Sequence, residues 1–126
     1  MITILKWLFF IVVVISILHY FFPLVEVCGC SMLPTYLDGE VIISRRIYNV
    51  DNIKQGDIMV FKQPYDKERL LIKRVSEVFR DKNGKVQSIY FLGDNAPDSY
   101  DSRNFGYVLV EDLVSKVILP RKRKEV

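Results

Sequence analysis

The stretch CGCSMLPTYLDGE, residues 28–40, sets one serine, Ser31, among small and apolar neighbours. A serine hydroxyl attacks a carbonyl effectively only when a neighbouring base takes its proton. The usual base is histidine. The chain has one, His19, which lies inside an apolar run upstream of Ser31. A Ser-His-Asp triad is therefore nearly excluded by inventory. The remaining base with chemical precedent is a lysine whose pKa is lowered by burial. Of the ten lysines, Lys54, Lys62, Lys67, Lys82 and Lys85 lie in or beside polar turns, and Lys122 and Lys124 lie in the C-terminal tail. Lys73, in LLIKRVSEV, and Lys116, among valines, are the competitors. On a strand Lys73 shares one face with Leu71 and Val75, while Ile72 and Arg74 point the other way. Lys73 is thus the better candidate for a dry amine, although by pattern alone a strand lysine more often snorkels to solvent.

A second polar stretch, GDNAPDSYDSRNFG at residues 93–106, reads as a loop. Asx and Ser hydrogen bonds would account for a plain turn there. It is nevertheless longer and more polar than a hairpin tip needs, and long loops in small domains are often functional. Cys28 and Cys30 would share a face of a strand, a poor geometry for a mutual disulfide. With only His19 to join them they also fall short of a zinc site. They read as small buried residues.

These groups need elements to hold them. From Trp7 to Val25 there is no charged residue; as helix the run spans about 28 Å, close to the hydrocarbon thickness of a bilayer. It is apolar on every face, unlike a core helix. No A-x-A cleavage pattern follows, and VCGC resembles a lipoprotein cleavage box only faintly, so a retained membrane anchor over residues 1–25 is expected. Trp7 at one end and His19 with Tyr20 at the other suit the two interfaces. Lys6 and the amino terminus precede the run; Glu26, Asp38 and Glu40 follow it, and after them Arg45 and Arg46. The positive-inside rule then favours a single pass with a cytoplasmic amino terminus and an extracytoplasmic domain. That domain covers residues 26–120, and RKRKEV, residues 121–126, forms a basic tail. Residues 1–120 are formally neutral. The net charge of +3 is a tail property, suited to solvating the chain end or touching anionic lipid, and nucleic acid is not an expected partner.

Within the domain the pattern is strand and turn. Strands are expected at residues 41–47, 58–64, 69–79, 86–92 and 114–120, with a short extended piece at LVEVCGC. Asn83-Gly84 is the strongest hairpin signal, and VEDL reads as a helical turn. Several short strands without a long amphipathic helix predict a mainly β, antiparallel domain, a sheet or a barrel-like structure.

In this order the segments resemble the bacterial type I signal peptidases, membrane-bound Ser-Lys endopeptidases that remove signal peptides from exported proteins. The resemblance is carried by the amino-terminal helix, GCSMLPT, IKRV and GDNAPDSYDSRNFG. The last fits the pattern G-D-N-x-x-x-S-x-D-S-R-x-x-G at every fixed position; K-R-V alone is weak. The resemblance covers nearly the whole chain, in what looks like a minimal version of the family, and it reverses the odds against Lys73. It implies Ser31 as nucleophile and neutral Lys73 as general base. Ser99 matches the serine that orients the lysine. Asp101 and Arg103 match an acid–base pair that holds the loop, and Gly93 a glycine that lets backbone pass close to the lysine. Met32 matches the wall of the pocket for the small side chain before the cut, with Ile72 as neighbour. Where some relatives place an oxyanion-hole serine, this chain has Gly29, so the hole falls to backbone N–H groups. A second departure is that K-R-V runs straight into a hairpin. The family implies preprotein signal peptides and the lipid bilayer as partners, and no cofactor or metal. The rival readings are a peptidase dedicated to one exported substrate and a silent membrane-anchored β module. The latter would be marked by loss of Ser31, Lys73 or Ser99, all of which are present.

Overall fold

A computed structural model describes residues 1–47 and 49–119; the tail at 121–126 and the last residue of the expected domain and of its final strand lie outside the described residues. The apolar run forms helix α1, Ile2–Phe21, which buries none of its residues against the domain. Its length and composition suffice to cross a membrane.

Strands β1 (Leu24–Glu26), β2 (Val41–Arg46), β3 (Ile58–Gln63), β4 (Asp66–Arg80), β5 (Val86–Leu92), β6 (Val108–Leu109) and β7 (Leu113–Leu119) form one sheet in the order β1-β2-β7-β3-β4-β5-β6. Every pairing is antiparallel. The mainly β expectation holds. The sheet has two free ends in its strand order and is open, so the barrel-like form is replaced by an open sheet with helix α2 (Ser102–Phe105) after β5.

The sheet is buried on both faces around β3, as its near-continuous apolar run requires. Met59 and Phe61 belong to one core with Val75, Ile89, Phe91 and Phe105. Phe61 stacks on Phe91 with ring centroids 4.1 Å apart. Ile58 and Val60 belong to the other core, with Val27, Met32, Tyr36, Ile42 and Ile72. Strand β4 serves both because its side chains alternate: Val75 enters the first core and Ile72 the second.

Two features of β4 and β2 decide where chemistry can occur. Asp66 and residues 70–74 of β4 pair with β3, and pairing with β5 begins only at Arg74↔Leu92. The chain leaving β5 therefore emerges beside Lys73. Strand β2 runs past β1 to the end of α1: Ser44 N–H donates to Pro23 O at 3.0 Å, and Arg46 Nε donates to Tyr20 O at 2.6 Å. The Arg46 guanidinium also lies over the Tyr20 ring, 4.4 Å from its centroid. Helix and domain are thus tied at the helix C-terminus, where a cation complements the helix dipole.

Candidate active site

Ser31 follows β1 on a turn that is plugged into the second core. Met32 and Tyr36 are both fully buried, and Tyr36 N–H donates to Met32 O at 3.0 Å. Anchoring these two side chains leaves Ser31, just before them, half-buried at the core's rim. Lys73 comes from β4 and is 4% exposed. Its Nζ stands 2.8 Å from Ser31 Oγ. As an ammonium it donates to that oxygen; as a neutral amine it can accept the hydroxyl proton. Burial lowers the Lys73 pKa from its ordinary 10.5 to about 8, opposed by the nearby Asp101 carboxylate and aided by the Arg69 cation. The competing amine of Lys116 is instead engaged 3.3 Å from Asp57 Oδ2.

The loop from Gly93 to Gly106 is built around one buried carboxylate. Asp101 is completely buried. Its Oδ2 accepts from Gly93 N–H at 2.9 Å, Ser99 Oγ at 2.8 Å and Arg103 Nη2 at 2.9 Å. Its Oδ1 accepts from Arg103 Nε and backbone N–H. Burial by itself raises the Asp101 pKa, but these bonds, Arg103 foremost, outweigh it and hold the group at about 2. The same residue caps α2, with Asn104 returning a side-chain bond to the Asp101 N–H. Arg103 reaches on to Ala96 O. The Ser99 hydroxyl donates to Asp101, and no bond between Ser99 and Lys73 occurs among the described residues. A Cβ on Gly93 would lie 2.0 Å from Ser99 Oγ and 2.8 Å from Ser31 O. The close approach at Gly93 is therefore to the nucleophile's backbone and to Ser99.

This carboxylate makes a prediction about acid. Its folded pKa lies below the ordinary 3.8, so its stabilising contribution is complete above that value. It is lost as pH falls from there through about 2, where the folded state too takes up the proton. Urea midpoints of the wild type are expected to drop over that window, and those of Asp101→Asn to drop less, from a lower starting stability. Parallel curves would remove Asp101 from this role.

Four further residues join the two halves of the site. Asn95 N–H donates to Ser31 O at 2.8 Å, and Asn95 Nδ2 donates to Cys30 O at 3.0 Å. Asp94 accepts from Thr35 Oγ1 at 2.6 Å and receives the Arg74 guanidinium in bidentate fashion, both bonds 2.8 Å. Arg74 also donates to Gly56 O. The serine turn, the lysine strand and the polar loop are thus cross-linked by Asp94, Asn95, Arg74 and Thr35. All four lie within the quoted motif segments, but their roles depend on contacts between distant segments that spacing does not reveal.

Two clefts meet at the pair. One, of about 500 Å³, is lined by Cys28, Gly29, Cys30 and Ser31 from the serine turn and by Arg69, Leu71 and Lys73 from β4, among others. The second, of about 400 Å³, is bounded by Leu24, Cys28, Val60, Ile72 and the same Ser31 and Lys73. Ile72 thus lies on a cleft wall and Gly29 on the other cleft's rim, Gly29 with φ +90° and its N–H bound to Asp38 Oδ1 at 2.8 Å. Met32 lies fully buried beneath the turn, outside both cleft linings. Cys28 and Cys30 correct the expectation of burial. Both are free and exposed, because the chain leaves β1 before reaching them and bends at Gly29.

Comparison with known proteins agrees on one family. The family model described as "Signal peptidase, peptidase S26" matches residues 1–82 and 76–121. A "Signal peptidase I" of Bacillus caldolyticus is 28% identical over 159 residues, covering 89% of this chain and 87% of that protein. The "Mitochondrial ATP-independent inner membrane protease subunit 1a" of Arabidopsis thaliana is 29% identical over 119 residues, 80% of this chain and 71% of its own. The "Mitochondrial inner membrane protease subunit 1" of Schizosaccharomyces pombe is 28% identical over 115 residues, 79% of this chain and 73% of its own.

Proposed function

The chain belongs to the signal peptidase family, peptidase S26, serine-type peptidases that cleave signal peptides from preproteins, and we propose that Ser31 is its nucleophile and Lys73 its general base. The observation that carries this is the buried Lys73 amine 2.8 Å from Ser31 Oγ. A lysine can take a proton near neutral pH only if its pKa approaches the working pH, and burial brings this one to about 8.

An extended segment of preprotein lies in the clefts beside β4, where, among the described residues, 66–73 carry no strand on the side away from β3. Neutral Lys73 takes the Ser31 proton as Oγ attacks the scissile carbonyl. The oxyanion is met by backbone N–H groups, that of Ser31 foremost, each worth ~3 kcal/mol in such sites. Lys73 then gives its proton to the leaving amine. A water, deprotonated in turn by Lys73, releases the acyl group. Asp101 and Arg103 hold the loop, Gly93 admits it against the serine turn, and Ser99 donates to Asp101, the carboxylate whose charge acts on Lys73. Ile72 borders the pocket for the small residue before the cut, as in A-x-A signals, with Met32 supporting its floor from beneath.

Within the expected anchor, residues 1–25, helix α1 acts as the single-pass span with a cytoplasmic amino terminus, and Leu24 and Val25 already belong to the sheet. The domain from residue 26 to 120 then works on the extracytoplasmic face, close to the bilayer, since few residues separate α1 from Ser31. The anchor brings enzyme and membrane-inserted substrate into one plane.

The test is cleavage of a preprotein with an A-x-A signal by the detergent-solubilised chain. Ser31→Ala is expected to abolish it. Lys116→Met is expected to leave kcat/KM within about twofold, as its amine serves Asp57 away from the serine. Cleavage that survives Lys73→Ala but disappears in Lys116→Met would transfer the base to Lys116.

A further inference from the structure

Two thiols stand beside the nucleophile, and the reaction proposed above uses neither. Cys28 and Cys30 are free and exposed. Cys28 lines both clefts that meet at Ser31, and Cys30 lines the larger. Among the described residues the Cys28 thiol makes one hydrogen bond, a weak contact to Glu26 O at 3.9 Å. A buried structural cysteine is inert, whereas an accessible one exchanges with disulfides. Here accessibility coincides with the space a substrate strand must enter.

The geometry points to Cys28 and Cys30 as a reversible S-thiolation site at the mouth of the substrate clefts, by which a low-molecular-weight disulfide switches cleavage off. In taking those clefts as the substrate path, this rests on the Ser31–Lys73 reading. The chemistry is thiol–disulfide exchange. The cysteine thiolate attacks one sulfur of R–S–S–R, a new Cys–S–S–R bond forms, the old S–S bond breaks, and R–S⁻ leaves with the electron pair and takes up a proton. One disulfide is consumed and one is made, so no further oxidant is required. A thiol in excess reverses the step by the same exchange. The clefts measure about 500 and 400 Å³, so a tripeptide-sized group such as glutathionyl fills much of either. A methylthio group fills little. Inhibition therefore scales with the size of the attached group, and an adduct on Cys28, which borders both clefts, blocks more than one on Cys30.

The experiment uses the full detergent-solubilised chain. It is treated with glutathione disulfide or with methyl methanethiosulfonate, whose CH3S group passes to the thiolate as methanesulfinate leaves, and adducts are counted by intact mass and located by peptide mapping. Cleavage of an A-x-A preprotein is then measured before and after dithiothreitol. Glutathionylated protein is expected to lose at least tenfold in rate and methylthiolated protein less, with dithiothreitol restoring both. The single variants Cys28→Ser and Cys30→Ser each keep one thiol and assign the stronger block to Cys28. The double variant is compared with its own untreated rate, which treatment leaves unchanged. The inference falls if fully glutathionylated protein cleaves at the untreated rate, if excess reagent forms no adduct on the native chain, or if the double variant is inhibited equally. Ser31→Ala separates the two readings. Untreated cleavage that depends on Ser31 upholds the site, so that failure of the treatment then falls on the thiols alone. An untreated chain without Ser31-dependent cleavage overturns both.

Discussion

Lys73→Ala is expected to lower kcat/KM for preprotein cleavage on the order of 10⁴-fold, the upper range for loss of a positioned base. Ser31→Ala falls to the same floor, and the double variant no further, because two groups that act as a unit are not additive. Lys73→Arg is not a rescue. A guanidinium stays protonated at every usable pH, so it can donate to Ser31 Oγ but cannot take its proton. The pH profile follows from the same group. Lys73 with a pKa of about 8 is mostly ammonium at pH 6, so log kcat/KM should rise with unit slope and level above about pH 8. Stability carries an independent signature. The folded pKa lies below the unfolded 10.5, so between about 8 and 10.5 the unfolded chain binds the extra proton. Below about 8 the wild type therefore bears the full cost of the buried lysine, and this cost fades as pH rises toward 10.5. Lys73→Met should be inactive yet more stable at pH 7, on the order of 3 kcal/mol at about 1.4 kcal/mol per pKa unit, and should lose that advantage at high pH. Denaturant midpoints at pH 7 and pH 10.5 measure it. A pH-independent gap would mean that burial does not lower the Lys73 pKa in the folded chain.

The face that Lys73 takes was legible because alternation on a strand is local; its burial was not, since by pattern alone a strand lysine snorkels, and only the resemblance favoured it. Leu71, Lys73 and Val75 point one way whatever the tertiary fold, and Val75 lies in the core beneath that face. The apolar run, the hairpin at Asn83-Gly84 and the turn at Val110–Asp112 are equally local, and all appear. Three further things were not legible. The openness of the sheet depends on how many strands pair and in what order, which the strand pattern leaves undetermined. The exposure of Cys28 and Cys30 depends on β1 ending at Glu26, earlier than the extended run suggested. The clamp made by Asp94, Asn95 and Arg74 joins segments 20 to 65 positions apart. Within the loop the shift from coil to the short helix α2 was signalled only by the Asp101–Asn104 capping spacing.

Gly93→Ala should be the most damaging of the small changes. The added Cβ would stand 2.0 Å from Ser99 Oγ, 2.6 Å from Ser99 Cβ and 2.8 Å from Ser31 O. Turning the Ser99 hydroxyl aside removes only the first clash. The second involves a Cβ fixed to the loop backbone, and the third involves the backbone of the nucleophile, so one of the two segments must move. Either movement stretches the Gly93 N–H bond to Asp101 or the Asn95 N–H bond to Ser31 O. Overpacking of this kind costs about 1–3 kcal/mol, and unpairing a buried carboxylate adds to it. The activity loss should exceed what instability explains, at least 10²-fold in protein that is still fully folded, because a displacement near 1 Å at the nucleophile has that effect. Second-site changes separate the causes. Adding Ser99→Ala to Gly93→Ala should recover little, since the Ser99 Cβ remains. Adding Ser99→Gly removes both Ser99 contacts and should recover part of the stability. It should not recover the rate, because the contact with Ser31 O persists and the hydroxyl that donated to Asp101 is gone. Denaturant midpoints and kcat/KM of the three variants decide the matter. Wild-type activity in Gly93→Ala would show that the loop and the serine turn are not packed this closely in solution.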